Sequence, residues 1–175
     1  MNILNKIRKE NTELFTKRLS IKLLDESDTT FIKELTNTKG WLQFIGNRNT
    51  STNIEALAYV KKTISNPNAI YFKVCLKKSL ERIGVITLVK RDYLEDLDIG
   101  FAFLPKFSNQ GFAFESSKLI LDTTIYLTKS KTIYGVTISK NTSSISLLTK
   151  LKMKQLRTIH KDDEELLIFG ISLNT

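Results

Sequence analysis

Residues 104–117 read LPKFSNQGFAFESS. The 175-residue chain has only seven glycines and two prolines, and this stretch holds one of each, Pro105 and Gly111. An apolar, strand-like run precedes it and an amphipathic run follows it. Pro105 has no amide hydrogen to give a sheet ladder, so it ends a strand. A helix then starts near Gly111 or Phe112. Its first-turn N–H groups have no internal partners, and the helix dipole adds partial positive charge there. Gly111 has no side chain to keep a ligand off that backbone. Strand, short loop and open helix start together form an anion site suited to a diphosphate. The plainer alternative is a strand-to-helix connection that happens to contain a glycine. No Walker lysine follows the glycine and no G-x-G-x-x-G occurs, which disfavours nucleotide hydrolysis and a Rossmann site.

The neighbouring elements follow from period and punctuation. Residues 97–104 are a strand, and residues 112 to about 130 are the longest helix. Upstream, residues 70–76 and 82–89 are two strands around a turn at 77–81. The acidic run RDYLEDLD, residues 91–98, turns the chain into the third. Earlier still, residues 19–24 (LSIKLL) are a strand. Asp25, Ser27 and Asp28 then cap a helix carrying Phe31, Ile32 and Leu35 at helical spacing. Thr52 and Glu55 form a capping box for a helix through Leu57 and Val60 to about Ser65, which Asn66-Pro67-Asn68 stops. Downstream come a strand at 133–139, a short helix at 143–151, and two strands near 154–159 and 166–173 around a turn at 161–165. Residues 1–17 read as a charged helical extension. The division expected is an extension at 1–14 and one domain over 15–175. Adjacent strands favour hairpins, and strand–helix–strand over 97–139 favours a parallel crossover. The fold class is therefore α/β (α+β): a mixed, mostly antiparallel sheet of about six to seven strands with helices on its faces.

Composition limits the function. Apolar residues make up 41% and charged residues 26%, as in ordinary globular domains. No apolar run approaches the ~20 residues that span a bilayer. The leading residues lack the uninterrupted apolar core of a secretion signal. A single cysteine, Cys75, excludes an internal disulfide framework. These features favour a cytoplasmic protein that does not act at a membrane. The net charge of +9 would suit a nucleic acid or an anionic small molecule. The 27 Lys and Arg are dispersed, however, with no block of like charge and no aromatic-interleaved basic motif. Generic solubility charge with help for an anionic ligand is the preferred reading.

The run DIGFAFLPKFSNQGFAFESSKLIL, residues 98–121, resembles the acetyl-CoA-binding segment of the GNAT N-acetyltransferases. It is most similar to the branch of ribosomal-protein N-terminal acetyltransferases. The matching positions are Asp98-Ile99-Gly100-Phe101, Pro105, Phe107, Gly111 and Ala113. NTSSISLLTKLKM resembles the family's N-x-x-S-I-x-x-L-x-K-L-G-F, placing Asn141, Ser144, Ile145, Leu148, Lys150 and Leu151. TKRLSIKLLDESD and WLQFIGNRNTSTNIEALAYV resemble the branch's opening and its helix region. The resemblance covers residues 15–175. It implies the GNAT fold, acetyl-CoA as co-substrate and an amine as acceptor. Amides of Ser108, Asn109, Gln110, Gly111, Phe112 and Ala113 would hold the CoA diphosphate. Main-chain groups of Phe101, Ala102 and Phe103 would pair with pantetheine like an added strand. Asn141 would bond the pantetheine arm, and Ser144 would lie near the thioester sulfur. The chain departs from the pattern at Ser108, Asn109 and Gln110, where relatives carry a Gly and often a cation. It departs again at Lys152-Met153, where relatives carry Gly-Phe. Asn tolerates positive φ best among non-glycine residues, which preserves the loop's shape.

Acetyl transfer to an amine needs a neutral amine, a polarised thioester carbonyl and a stabilised or protonated leaving thiolate, and it requires no metal. Strand alternation puts Asp96, Asp98, Gly100 and Ala102 on one face, with small residues leaving room beside the carboxylates. The resemblance makes Asp98 the base. A solvated acidic hairpin is the alternative. Asp96 is a candidate to attract a cationic amine. Many relatives carry a tyrosine acid at the position of Leu148, so Ser144 is the remaining candidate acid. Its alternative role is a helix-start serine bonded to the backbone. Trp41 and Phe44 are candidates to line the acceptor pocket, or else they pack helices. Cys75 reads as core and His160 as surface. A non-catalytic CoA-binding module and, less favoured, a nucleic-acid-binding protein are the competing functions. The acceptor's identity is open, as is the oligomeric state, a homodimer included.

Overall fold

The structure is a computed structural model and describes residues 3–10, 13–128, 132–161 and 163–172. One sheet of eight strands runs in the order β1-β2-β3-β4-β5-β6-β8-β7. The strands are β1 (Glu13–Phe15), β2 (Leu19–Leu23), β3 (Ala69–Leu76), β4 (Arg82–Lys90), β5 (Leu97–Phe103), β6 (Thr132–Ile138), β7 (Lys154–Lys161) and β8 (Glu164–Ser172). Every neighbouring pair is antiparallel except β5 and β6, which the helical crossover makes parallel. The helices are α1 (Ile3–Glu10), α2 (Thr29–Thr36), α3 (Lys39–Phe44), α4 (Asn53–Ile64), α5 (Phe112–Thr128) and α6 (Thr142–Lys150).

The sheet is covered on both faces, and strand alternation sorts the residues. From β5, Leu97 and Ile99 enter a core with Leu4 and Ile7 of α1, Ile120 and Leu121 of α5, and Leu148 and Leu151 around α6. Residues of the opposite parity meet the other layer. Val85, Ala102 and Leu104 pack with Phe31, Ile32 and Leu35 of α2, Trp41 of α3 and Val60 of α4. The Thr52–Glu55 capping box that starts α4 forms in both directions. Asp25, Asp28, Lys73 and Arg82 form a charged cluster between the first turn of the α2 region and the sheet. Asp28 there is fully buried, and Lys73 reaches it at 2.9 Å.

Several boundaries differ from expectation. Among the described leading residues, Ile3–Glu10 is helical. Glu13–Phe15 instead forms an edge strand, because Thr16 turns the chain back and its amide bonds the Leu19 carbonyl at 3.0 Å. That strand makes the count eight. A separate α3 forms because Thr38 caps it, its side chain accepting from the Trp41 amide. The terminal hairpin is tighter than a turn over 161–165: Lys161 already pairs with Glu164. The expected end of the long helix at 129–130 lies outside the described residues. Cys75 is buried and His160 exposed, as read from sequence.

Candidate active site

The site starts where the sheet parts. β5 and β6 are paired at one position, Asp98 opposite Tyr134, and then diverge. Asp98 is the wedge. Its Oδ1 accepts from the Val136 amide at 3.1 Å, the donor that a continued parallel ladder would have offered to a β5 carbonyl. On its other edge β5 stays in register with β4 as far as Phe103 opposite Gly84. The Leu104 amide donates to Ile83, so by alternation Ala102 and Gly100 turn their main-chain groups to β4. Phe101 and Phe103 turn theirs into the opening. The expectation that Ala102 offers its main chain there is therefore corrected, although Ala102 still lines the groove.

The loop beside this opening keeps its donors free. Pro105–Phe107 is a single 3-10 turn, and α5 begins at Phe112. The Ser108 amide is already bonded to the Pro105 carbonyl at 3.1 Å, which corrects its assignment as a ligand donor. The amides of residues 109–114 have no hydrogen-bond partner among the described residues. The next one, from Glu115, closes the helix on the Gly111 carbonyl at 3.0 Å. Asn109 at φ 59° and Gly111 at φ 79° are both left-handed, and this curls successive N–H groups toward one side. Gln110 does not line the groove; its side chain donates to the Lys106 carbonyl. A cation arrives from far away in sequence. Arg18, before β2, bonds the Gln110 carbonyl at 3.0 Å, pairs with Glu115 at 2.6 Å and lies 4.3 Å over the Phe112 ring. Arg18 thus stands beside the loop whose own cation is missing. No sequence signal announced it, because the contact spans 92 residues.

Across the opening, the Asn141 side chain caps α6 by accepting from the Ser144 amide at 3.1 Å. Its amide nitrogen has no partner among the described residues. Ser144 is buried, lines the groove, and its hydroxyl forms no hydrogen bond among the described residues. The capping role that competed for Ser144 is filled by Asn141. Lys152 takes φ 67° where relatives carry Gly, and α6 still stops, the Met153 amide bonding the Leu148 carbonyl.

These elements border one groove of about 1330 Å³. Phe101, Phe103, Ser108, Asn109, Gly111, Phe112, Ala113, Asn141 and Ser144 line one part of it. Trp41, Phe44 and Asp98 line another. Trp41 is buried in the α2–α4 layer, and its indole nitrogen has no partner among the described residues. Asp96 is outside the groove, its carboxylate accepting from the Leu97 amide, which corrects its place at the acceptor end. Asp98 is 2% exposed. Burial raises its carboxyl to about 6 against the opposing pull of Arg91, which pairs with it at 2.6 Å, and of the Val136 amide. Arg91, Tyr93, Tyr71, Tyr59 and Arg48 complete this end, and the sequence reading did not foresee them.

The fit to acetyl-CoA can be judged on these atoms. Unsatisfied amides, a left-handed glycine open to close approach, a parted strand edge and two unpartnered polar side chains face one groove. That donor set suits a diphosphate and an amide-rich arm.

The sequence matches the family described as acetyltransferase (GNAT) domain over residues 18–154, and the chain belongs to that family. Its fold is the one solved for an acetyltransferase of the GNAT family from Bacillus anthracis. That similarity is 22% identity over 91% of this chain and 98% of that one, with a TM-score of 0.78. A spermidine N-acetyltransferase from Vibrio cholerae, solved in complex with CoA and spermine, is similar at 16% identity, 90% and 96% coverage and TM-score 0.76. The ribosomal-protein-S5-alanine acetyltransferase from Vibrio fischeri is similar at 15% identity, 93% and 97% coverage and TM-score 0.75. No curated protein sequence matches the chain. Among the described residues, no helix is long and apolar enough to cross a membrane.

Proposed function

We propose that the protein is a cytoplasmic acetyl-CoA-dependent N-acetyltransferase acting on a primary amine by direct attack in a ternary complex. The observation that carries this is the run of unsatisfied amides at 109–114, opening on the same groove as Asp98 and Ser144. Amides of Asn109, Gly111, Phe112 and Ala113 hold the diphosphate, with Arg18 alongside. Main-chain groups of Phe101 and Phe103 and the free amide of Asn141 hold the pantetheine arm. Acetyl-CoA supplies the activated acetyl group as a thioester.

Asp98 receives the acceptor's ammonium proton through a water. Its raised carboxyl makes it a stronger base than an ordinary aspartate while leaving it ionised at neutral pH. The Phe101 N–H polarises the acyl carbonyl, and the Ser144 hydroxyl relays to the departing sulfur the proton that the attacking nitrogen loses as the amide forms, regaining its own. Trp41 and Phe44 border the acceptor. The relatives named for spermidine and for a ribosomal-protein alanine both act on amines, which supports this class and leaves the branch open.

Thiol release from acetyl-CoA with a panel of amines tests the reading, and no turnover with any acceptor at saturating acetyl-CoA would overturn it. Calorimetric CoA binding without turnover would favour the non-catalytic module instead. Gly111→Glu puts a side chain on a left-handed backbone and a negative charge against the diphosphate, so CoA binding should be lost. Unchanged CoA affinity in that variant would remove the loop assignment.

A further inference from the structure

We infer that the acceptor is a primary amine whose side chain carries a carboxylate, recognised by Arg48. This rests on the acetyl-transfer reading and narrows it to a substrate class. The charges at the acceptor end are the basis. Arg48, Arg91 and Lys161 line it, against Asp98 and Glu164. Asp98 is taken by Arg91 at 2.6 Å. Lys161 lies 3.7 Å from the exposed Asp92 and sits opposite Glu164 in the β7–β8 hairpin. Arg48 alone is left over: it forms no ion pair or hydrogen bond among the described residues.

The surroundings of Arg48 suit an anion. The exposed Arg48 and the half-buried Arg91 line the groove together with Tyr71 and Tyr59, and Arg91 pairs with Asp98 there. Burial holds the Tyr71 hydroxyl above the ordinary range, so it stays neutral. The Tyr93 ring lies under both Arg91 (5.9 Å) and Lys161 (5.0 Å). A guanidinium with flanking phenol hydroxyls binds a carboxylate through paired, charge-assisted hydrogen bonds. A polyamine would need several unmatched carboxylates, and the groove offers only Glu164, since Asp98 is held by Arg91. An amine beside Asp98 and its carboxylate at Arg48 use both features at once.

The experiment uses the full chain loaded with CoA for binding and with acetyl-CoA for turnover. Acceptors are glutamate, glutamine, an acidic dipeptide and spermidine. Glutamate or the dipeptide should bind at least 10-fold tighter than glutamine, and spermidine should bind weakest. The comparison of glutamate with the dipeptide tells a free amino acid from a peptide N-terminus. Arg48→Glu should raise KM for the acidic acceptors at least 10-fold, leave CoA affinity unchanged and improve spermidine. Arg48→Lys should restore part of the loss. Preference for spermidine or glutamine, or an unchanged KM in Arg48→Glu, overturns the inference while acetyl transfer stands. Binding of glutamate that Arg48→Glu abolishes, with no turnover of any acceptor, upholds the charge reading and sinks the transfer reaction. Failure of every acceptor to bind overturns the inference.

Discussion

Two carboxylates are buried against the sheet, and their environments differ in one respect. Asp28, fully buried, is met by Lys73 and by Arg82 and accepts the Asp25 amide at 2.9 Å. Asp98, nearly as buried, has one cation and one amide. The Asp25–Asp28 pair faces two cations, with Asp28 sealed under the α2 region and Asp25 exposed at its rim. The neighbouring Asp25 carboxyl is held down at about 2, chiefly by its hydrogen bond from Lys73. At Asp98 burial outweighs the single cation, and the carboxyl rises to about 6. The first arrangement fixes a loop on the sheet. The second leaves a group at the edge of a groove ready to exchange a proton near neutral pH.

Substitutions can break this comparison. The largest expected effect is Asp98→Asn, which should lower kcat roughly 10²–10⁴-fold while CoA binding persists. In the parent, kcat at saturating acceptor should climb with pH through about 6, because a base must be ionised and burial delays that ionisation. The climb should be missing from the variant. A parent profile flat across that range would remove Asp98 as the base. Next is Asp28→Asn, expected to cost about 3 kcal/mol in denaturant unfolding by leaving Lys73 and Arg82 short of charge in a buried setting. Activity per folded molecule should stay near that of the parent. A variant that folds normally but loses turnover would erase the distinction between the two carboxylates. Smallest is Arg91→Gln: it removes the one cation facing Asp98, so the acid limb should move to higher pH by roughly one unit. A shift downward would show that Arg91 does not set the carboxyl's charge state.

The parts legible from sequence were those whose causes are local. Pro105 and Gly111 marked the strand end and helix start, the Thr52–Glu55 box marked α4, and alternation sorted the two faces of β5. Asn109 was read as tolerating positive φ, and it adopts φ 59°. The missed parts depend on distant partners. β1 has only three residues and exists through pairing with β2. The Ser108 amide is consumed by a carbonyl three residues back, a detail of turn geometry that composition does not encode. Arg18 meets the loop at 110–115, and Arg91 meets Asp98 across a turn that read simply as acidic. Dispersed arginines carry no periodic pattern, so only the fold gathers them.

The single rung between β5 and β6 also has a mechanical meaning. It joins a five-stranded half-sheet to a three-stranded one along a seam stitched by one residue pair and one carboxylate. A pantetheine arm lying in that seam would bond both halves, acting as the missing strand. The coenzyme would then serve as a structural clasp as well as a reagent. Amides of β6 and β8 should exchange with solvent more slowly in the loaded protein, as the carboxy-terminal strands gain a tether the free chain lacks.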